Sequence, residues 1–491
     1  MKRMITLTFN LLLISLFVAC QPNEKADNRP NILWIVADDL GTDLGCYGEE
    51  LVHTPNLDGL AAESQKYTNF FTVSAVCSPS RSTLITGMYP QSINSHQHRT
   101  QFRSPLPGHV APVTHHFREA GYFTCNASFE NWDKPGKEDY NFFADSLFDG
   151  TNWNQRTEGQ PFFAQIQIHY PHRDFKRDPT HPVDPAKVKV PPYYPDHPVS
   201  RQDWALYLEF IQLLDVEVGK VLQKLEEDGL AENTIVFFFG DQGRPHVRAK
   251  QFMYDGGIQT PLMIRFPDKA KAGTVEPNVT SNLDLAATAL NLAGIAVPDY
   301  MQGKPFLGEN AQPRKYVFSG RDRRDETVDR IRAVRSNQFK YIRNFYPEKP
   351  YTQFNFYKKH AYPVLTLMQV LHKRGELTPD QAKFMAETKP YEELYDIQND
   401  PWELNNLAED SAYAEKMVEM RAQLDIWLEE SDKGKYPEAP KEIEFAQQHA
   451  KEFFPIQMKN KRGLAADISD EEFLEYWEKV LTPTVKEISL D

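Results

Sequence analysis

The sequence has little positive charge and few cysteines, and each shortage argues against a class of protein. Its 491 residues include 55 Lys and Arg against 69 Asp and Glu, which gives a formal net charge of −14. We expect no nucleic-acid partner, because phosphate backbones are held by clustered Lys and Arg. An anionic substrate would have to bind in a local basic pocket, against the overall field. Four cysteines are too few for a disulfide scaffold, and no internal repeat is present.

The first residues predict export and are not expected to belong to the fold. Lys2 and Arg3 precede an apolar run over residues 5–18, which is too short and too N-terminal for a stable membrane span. The run ends at Cys20 in a segment that resembles a bacterial lipobox, and an ordinary signal peptide cut nearby is the alternative. We assign residues 1–20 to a signal peptide with lipobox and residues 21–29 to a polar tether. The chain is then a periplasmic or cell-surface lipoprotein that meets the membrane through a lipid on Cys20.

Three continuous apolar runs have the length of strands and predict a sheet that is buried on both faces. They are residues 31–37, 161–168 and 234–239. A 3.6-residue apolar period over residues 207–225 predicts a helix before the last strand, and another helix is predicted over about 283–293. Strands that alternate with helices indicate an α/β domain with a mixed, mostly parallel sheet sandwiched by helices, which we place at residues 30–312.

The pattern changes past about residue 313. Residues 332–343 predict a β-hairpin with Ser336 and Asn337 near its turn, and residues 393–404 predict a further strand and turn. We therefore expect a smaller α+β subdomain at residues 313–430, followed by a charged helical extension at residues 431–491.

Polar side chains follow each of the three predicted strands, at the edge of the sheet where ligands bind in α/β folds. Asp38 and Asp39 follow the first strand, His169 the second, and Asp241 and Gln242 the third. Carboxylate and amide oxygens suit Ca²⁺ or Mg²⁺, whereas zinc usually recruits His or Cys. A single pair would be read as a turn or helix cap, but two pairs at equivalent strand ends favour a metal site.

The segment around Cys77 carries the most specific motif. Val76-Cys-Ser-Pro-Ser-Arg-Ser82 matches the Cys-x-Pro-Ser-Arg signature of the formylglycine-dependent sulfatases, and residues 83–90 continue the likeness. The resemblance extends from about Asn31 to about Leu407 and is nearest to the sulfamidase and polysaccharide-sulfatase branch. It implies an alkaline-phosphatase-like fold and conversion of Cys77 to 3-oxoalanine (formylglycine) by a maturation enzyme. Cys46 and Cys125 would remain, and whether they form a disulfide is left open.

The resemblance also implies roles for individual residues. Asp38, Asp39, Asp241 and Gln242 would hold Ca²⁺ together with the modified Cys77, and Arg81 would bind the aldehyde hydrate. Sulfate oxygens would be bound by Lys137 and Lys250, while His169 would protonate the departing oxygen. Where family members often place a His two residues beyond the first lysine, this chain has Asp139.

Further basic residues near these motifs are candidates for substrate binding. Arg244 and Arg248 lie between the metal turn and Lys250, and His172 and Arg173 lie just after the proposed acid. A solvated charged loop is the alternative for the first pair. His96, His98 and Arg99 follow the Cys77 segment and are weaker candidates.

The sequence thus predicts a sulfatase that removes sulfate esters or N-sulfo groups from a sulfated polysaccharide, such as ulvan or a glycosaminoglycan. One alternative is a formylglycine-dependent phosphonate or phosphate monoester hydrolase. The other is an inactive glycan-binding surface lipoprotein, although none of the residues that such a protein would lose is missing.

Overall fold

The computed structural model describes residues 29–436 and 438–481. Cys20, the signal segment and almost all of the tether lie outside the described residues, as do residue 437 and residues 482–491 of the C-terminal extension. The strands of the described part are β1 (Asn31–Ala37), β2 (Gln65–Tyr67), β3 (Phe70–Phe71), β4 (Phe123–Ser128), β5 (Asn131–Pro135), β6 (Phe162–Ile168), β7 (Thr234–Gly240), β8 (Leu262–Arg265), β9 (Val275–Glu276), β10 (Thr280–Ser281), β11 (Val317–Arg321), β12 (Ile331–Arg335), β13 (Phe339–Asn344) and β14 (Glu392–Asp396).

The α-helices occur between these strands and after the last of them. They are α1 (Pro55–Ala62), α2 (Cys77–Thr86), α3 (Val113–Glu119), α4 (Pro198–Glu227), α5 (Asp255–Ile258), α6 (Leu285–Leu292), α7 (Phe356–Ala361), α8 (Pro363–Arg374), α9 (Pro379–Lys383), α10 (Ala414–Ser431), α11 (Pro440–Gln457) and α12 (Asp470–Leu481). None of the described helices is long and apolar enough to cross a membrane.

Strand β1 lies at the centre of an eight-stranded sheet with the order β5-β4-β6-β1-β7-β8-β2-β9. It pairs in parallel with β6 on one side and with β7 on the other, so that Ala37 lies beside Ile168 and Gly240. The pairings of β4 with β5, and of β8 with β7 and β2, are antiparallel. The sheet is therefore mixed, with a parallel centre, as predicted.

Alternate residues of β1 enter two different hydrophobic cores, which explains why the strand is apolar along its whole length. Leu33 and Ile35 pack in the core that contains the apolar side of α4. Trp34 packs in the core of the other face, which contains apolar residues of α2, α3 and α6. Helices therefore cover both faces of the sheet, and the predicted fold class is confirmed.

The C-terminal region contains a separate antiparallel sheet with the order β11-β12-β13-β14. The predicted hairpin is formed by β12 and β13, and Leu394 of β14 lies beside Tyr341 of β13. Helix α10 packs on this sheet through Met420 and Trp427, among others. Beyond it, α11 and α12 form the helical extension, and α12 packs on α4 and α8 through Phe473 and Trp477. Cys46, Cys77 and Cys125 are free thiols, so the described cysteines form no disulfide.

Candidate active site

The carboxyl ends of β6, β1 and β7 meet at one edge of the sheet and deliver the acidic side chains together. The backbone N–H of Asp38 donates to the carbonyl of Ile168 at 3.1 Å, and that of Asp241 donates to the carbonyl of Ala37 at 2.9 Å. Asp39 has a φ of 65°, a left-handed conformation that is uncommon for a non-glycine residue. Such backbone strain is typical of functional sites.

Helix α2 begins at Cys77 and brings the cysteine to these carboxylates. Its Sγ lies 3.5 Å from Oδ1 of Asp38 and 4.0 Å from Oδ1 of Asp39. Arg81 follows one helical turn later and therefore lies on the same face of the helix. Its Nε donates to Oδ2 of Asp241 at 2.8 Å, and its Nη1 donates to Oε1 of Gln167 at 2.7 Å. The four-residue spacing of the motif thus places Cys77 and Arg81 side by side in one pocket.

Each of the three buried carboxylates is paired with its own cation. Nζ of Lys137 lies 2.6 Å from Oδ2 of Asp38, and Nζ of Lys250 donates to Oδ1 of Asp39 at 2.8 Å, while Arg81 pairs with Asp241. Burial alone would raise the pKa of Asp38 and of Asp39, but the two lysines hold both pKa values below the ordinary range. Burial and the nearby Asp38 raise the pKa of Asp241 to about 7.

The donor atoms of this cluster fit a hard divalent cation. Oxygens of Asp38 and Asp39 and the Sγ of Cys77 all lie within 4.8 Å of one another. Gln242 donates through its Nε2 to Asp39 and to Cys77, and its buried Oε1 has no hydrogen-bond partner among the described residues. An unpartnered buried acceptor is costly unless a ligand uses it. Asp38, Asp39, Asp241 and Gln242 could therefore hold Ca²⁺ or Mg²⁺.

The unmodified thiol of Cys77 is poorly suited to nucleophilic attack. Burial raises its pKa to about 11, against the opposing effect of Lys137. Since the thiolate is the reactive form of cysteine, a thiol with this pKa is almost entirely protonated near neutral pH. An oxidised derivative at position 77 accounts better than the thiol for a nucleophile here.

The two histidines after β6 lie at the mouth of the pocket. Nδ1 of His169 lies 3.4 Å from Oδ2 of Asp38, and its side chain is 57% exposed. The ring of His172 stacks on that of His169 at 4.9 Å and lies deeper, with Nε2 3.8 Å from Asp39. Burial and Lys250 lower the pKa of His172 to about 4, so it is neutral at neutral pH. The exposed His169 is the better placed of the two to meet a leaving group.

The three arginines that were candidates for substrate binding also make contacts within the fold. Arg173 is buried, forms a two-pronged ion pair with Asp203, and donates to backbone carbonyls. Arg244 pairs with Asp43, with its guanidinium over the ring of Trp204. Arg248 lies between two tyrosine rings and donates to the carbonyls of Trp402 and Glu403. These contacts use the donors of Arg173 and Arg248 and the Nε of Arg244, because buried guanidinium groups require such partners.

Other basic residues near the pocket were missed or undervalued by sequence reasoning. Arg99 forms a two-pronged ion pair with Asp139, at 3.1 and 3.0 Å, and Asp139 lies 4.0 Å from Lys137. The residue that departs from the family pattern thus positions an arginine beside the site. Arg324 is buried nearby and forms an ion pair with Asp325, with its Nε 3.2 Å from Oδ2 of that carboxylate, while its Nη1 has no hydrogen-bond partner in the described part of the chain. No local pattern marks Arg324, since its neighbours in the sequence are also charged.

Comparison with protein families gives the identity of this arrangement. Residues 30–295, more than half of the chain, match the family described as Sulfatase. This chain belongs to the sulfatase family. A second match, to the region described as N-sulphoglucosamine sulphohydrolase, C-terminal, covers residues 246–375. The sulfatase is a sulfuric ester hydrolase, and members of its family generally use a formylglycine and a divalent metal ion.

Individual relatives agree with this membership. An ulvan-active sulfatase of Formosa agariphila is 36% identical, over 82% of this chain and 75% of the relative. The N-sulphoglucosamine sulphohydrolase of Homo sapiens is 28% identical, over 81% of this chain and 90% of the relative. The solved structure of a 2-O GAG sulfatase superposes with a TM-score of 0.61 at 21% identity, covering 84% of this sulfatase and 96% of that chain.

Proposed function

We propose that this sulfatase is exported and removes sulfate from the sugar units of a sulfated polysaccharide outside the cell. Ulvan-like and glycosaminoglycan chains are the first candidates. The observation that carries the proposal is the cluster in which Lys137, Lys250 and Arg81 surround Cys77 and the carboxylates, inside a protein of net charge −14. Such a concentrated group of cations suits a sulfuryl group on an anionic substrate. The names of the ulvan-active and N-sulphoglucosamine relatives support the choice of a carbohydrate.

The metal is proposed to be Ca²⁺, and residue 77 is proposed to be a formylglycine. A bound divalent ion would supply electrostatic stabilisation of the sulfuryl oxygens, and the aldehyde hydrate would supply the nucleophilic oxygen. Asp38, Asp39, Asp241 and Gln242 would hold the ion. The all-oxygen character of this set, and the unpartnered Oε1 of Gln242, support a hard cation.

The remaining residues of the pocket bind the substrate and move protons. Nζ of Lys137 lies beside Asp38, and Nζ of Lys250 lies beside Asp39 and 3.9 Å from Sγ of Cys77, where each would bind a sulfuryl oxygen. Arg81 orients the oxygen carried by residue 77, because its own position is fixed by Asp241 and Gln167. His169 donates a proton to the leaving oxygen, which is the step that matters most for a poorly departing sugar alcohol.

A desulfation screen on defined oligosaccharides tests the proposed substrate. Sulfated ulvan and glycosaminoglycan oligosaccharides would be incubated with the matured enzyme, and the position of sulfate loss would be located by mass spectrometry and NMR. O-sulfated and N-sulfated glucosamine should be assayed side by side, because the C-terminal match belongs to an N-sulfo hydrolase. Assays of 4-nitrophenyl sulfate, phosphate and phosphonate esters, run in parallel, test the alternative that the protein is a phosphonate or phosphate monoester hydrolase. Faster turnover of a phosphonate than of every sulfate would overturn the proposal.

Export, lipid attachment at Cys20 and maturation by a formylglycine-generating enzyme are also proposed. The lipobox-like segment supports the first two, and the motif around Cys77 supports the third. Cys20→Ala should move the protein from the membrane fraction to the soluble fraction of its host, with activity retained. An unchanged membrane fraction would contradict lipid attachment at this residue.

A further inference from the structure

A cleft of about 490 Å³ opens beside the catalytic pocket and is walled on one side by the helical extension. Arg99 lies on one side of the cleft, Phe356 and Tyr357 of α7 on another, and residues of α11 on a third. The volume falls in the range of about 300–1,000 Å³ that is typical of small-ligand sites. Helix α11 lies beyond residue 375, where the second of the two family matches ends. This wall of the cleft is therefore outside the matched family regions.

Helix α11 presents an aromatic stripe, which we define as Phe445, His449 and Phe453, to the cleft. The four-residue spacing places these rings on one flank of the helix, while Ala446 and Ala450 are buried. Phe445 is 42% exposed and Phe453 is 39% exposed. The rings of His449 and Phe453 are stacked at 5.0 Å. Adjacent exposed aromatic rings are uncommon on a protein surface unless they bind something.

Helix α7 extends this aromatic surface towards the catalytic residues. The ring of Phe356 lies 5.9 Å from that of His449. The next residue, Tyr357, has its ring 5.9 Å from the ring of His172 and 5.7 Å from Nζ of Lys250. The buried hydroxyl of Tyr357 has no hydrogen-bond partner among the described residues. The cleft therefore adjoins the catalytic pocket at Tyr357, which carries an uncommitted polar group between them.

The charged residues of the cleft favour an anionic occupant. The two carboxylates of its lining are already paired, Asp174 with Arg462 and Asp325 with Arg324. Arg99 donates to Asp139 through Nε and Nη2, but its side chain is still 54% exposed, and Asp139 lies 4.0 Å from Lys137. An exposed guanidinium suits a carboxylate or a second sulfate group.

We propose that this cleft binds the sugar ring next to the sulfated unit, with the aromatic stripe against the C–H face of the ring and Arg99 at an acidic substituent. The inference rests on the proposed function and narrows it to oligosaccharides or chain ends of at least two sugars. A pyranose fits because one of its faces is apolar and its rim carries hydroxyl groups, which matches aromatic rings beside polar side chains. The C-terminal extension is thus a specificity element of this sulfatase.

The test compares substrates with and without the second ring. Phe453→Ala and Phe445→Ala are assayed in the matured full chain on 4-nitrophenyl sulfate, a sulfated monosaccharide, and the disaccharide and tetrasaccharide that contain it. Losing one stacked ring should lower kcat/KM on the longer substrates by roughly three- to tenfold, mainly through KM. The two small substrates should be hydrolysed at the wild-type rate. Tyr391→Ala replaces an aromatic residue outside the cleft that is 52% exposed, and this control should leave the rates on small and long substrates unchanged.

Three results would overturn the inference. The first is an unchanged kcat/KM on every oligosaccharide, and the second is an equal loss on small and long substrates, which would indicate a structural effect. The third is a change in oligomeric state by sedimentation with oligosaccharide kinetics unaltered, which would make the stripe a contact between copies of the chain. If Phe453→Ala does not fold, Phe453→Leu keeps the apolar volume without the flat ring and should show the same selective loss. A wild-type enzyme that desulfates none of the sugars would instead contradict the proposed function.

Discussion

Replacing Lys250 with methionine removes one of the three cations that balance the carboxylates of the active site. The ammonium group is buried with Asp39, since the two side chains are 1% and 0% exposed. Methionine keeps most of the apolar stem, so the change removes the charge with little loss of packing. Breaking a buried ion pair from one side costs about 3–5 kcal/mol, because the remaining charge has no partner. In metal-free protein we expect a loss of unfolding free energy of this order.

Saturating Ca²⁺ should restore most of that loss, because a divalent ion bound by Asp38 and Asp39 would replace the missing positive charge. Urea unfolding of the wild type and of Lys250→Met, each with a chelator and with excess Ca²⁺, measures the difference. Lys220→Met is the matched control, because Lys220 is an exposed helix residue that pairs with Glu217. The variant should also lose about 10²–10³-fold in kcat, as expected for a group that stabilises transition-state charge.

The reasoning would be refuted if Lys250→Met were destabilised equally with and without Ca²⁺. That result would mean that a bound cation does not compensate for the charge lost beside Asp39. A stability loss no larger than that of Lys220→Met would show instead that the Asp39 pair contributes little to the fold.

Three further predictions follow from the positions of individual residues. Cys77→Ala should abolish turnover while leaving the circular dichroism spectrum unchanged, and activity above a few per cent of wild type would remove residue 77 from the chemistry. His169→Ala should slow sugar sulfates much more than 4-nitrophenyl sulfate, whose leaving group needs little protonation, so equal losses would contradict its role as the acid. Arg248→Met should lower the unfolding free energy by about 1–3 kcal/mol, because two backbone carbonyls lose their donor. Its KM should stay at the wild-type value. A raised KM with unchanged stability would indicate that Arg248 binds the substrate.

The centre of the fold could be predicted because its sequence signals are local. Residues 31–37 and 234–240 are continuous apolar runs, which a strand buried on both faces requires, and both form neighbouring parallel strands in the structure. Parallel neighbours end at the same edge, so the polar residues that follow them had to be close together. The same reasoning placed His169, which follows β6, at this edge of the sheet.

The roles of the basic residues could not be predicted, because each depends on a distant partner. Arg173 is held by Asp203 of α4, and Arg248 by the backbone of Trp402 and Glu403. Nothing in the sequence near either arginine indicates such a contact. Arg99 appeared to be a weak candidate, yet its pairing with Asp139 places it beside the pocket.

The helical extension shows a different limit. Its charged composition predicts exposed helices, and α11 and α12 are helices in the described part of the chain. The four-residue spacing of Phe445, His449 and Phe453 is visible in the sequence, but it is also the spacing of an ordinary packing face. Only the position of α11 against α7 shows that these rings border a cleft.

The central claim is that residue 77 acts as an oxidised carbonyl derivative, and the tryptic peptide of residues 67–81 tests it directly. The peptide would be isolated from fully active enzyme made in the native host and weighed by mass spectrometry. The account predicts an aldehyde in place of the thiol. The fraction of residue 77 that is converted should be proportional to the specific activity of each preparation. Fully active enzyme whose residue 77 is an unmodified cysteine would contradict it.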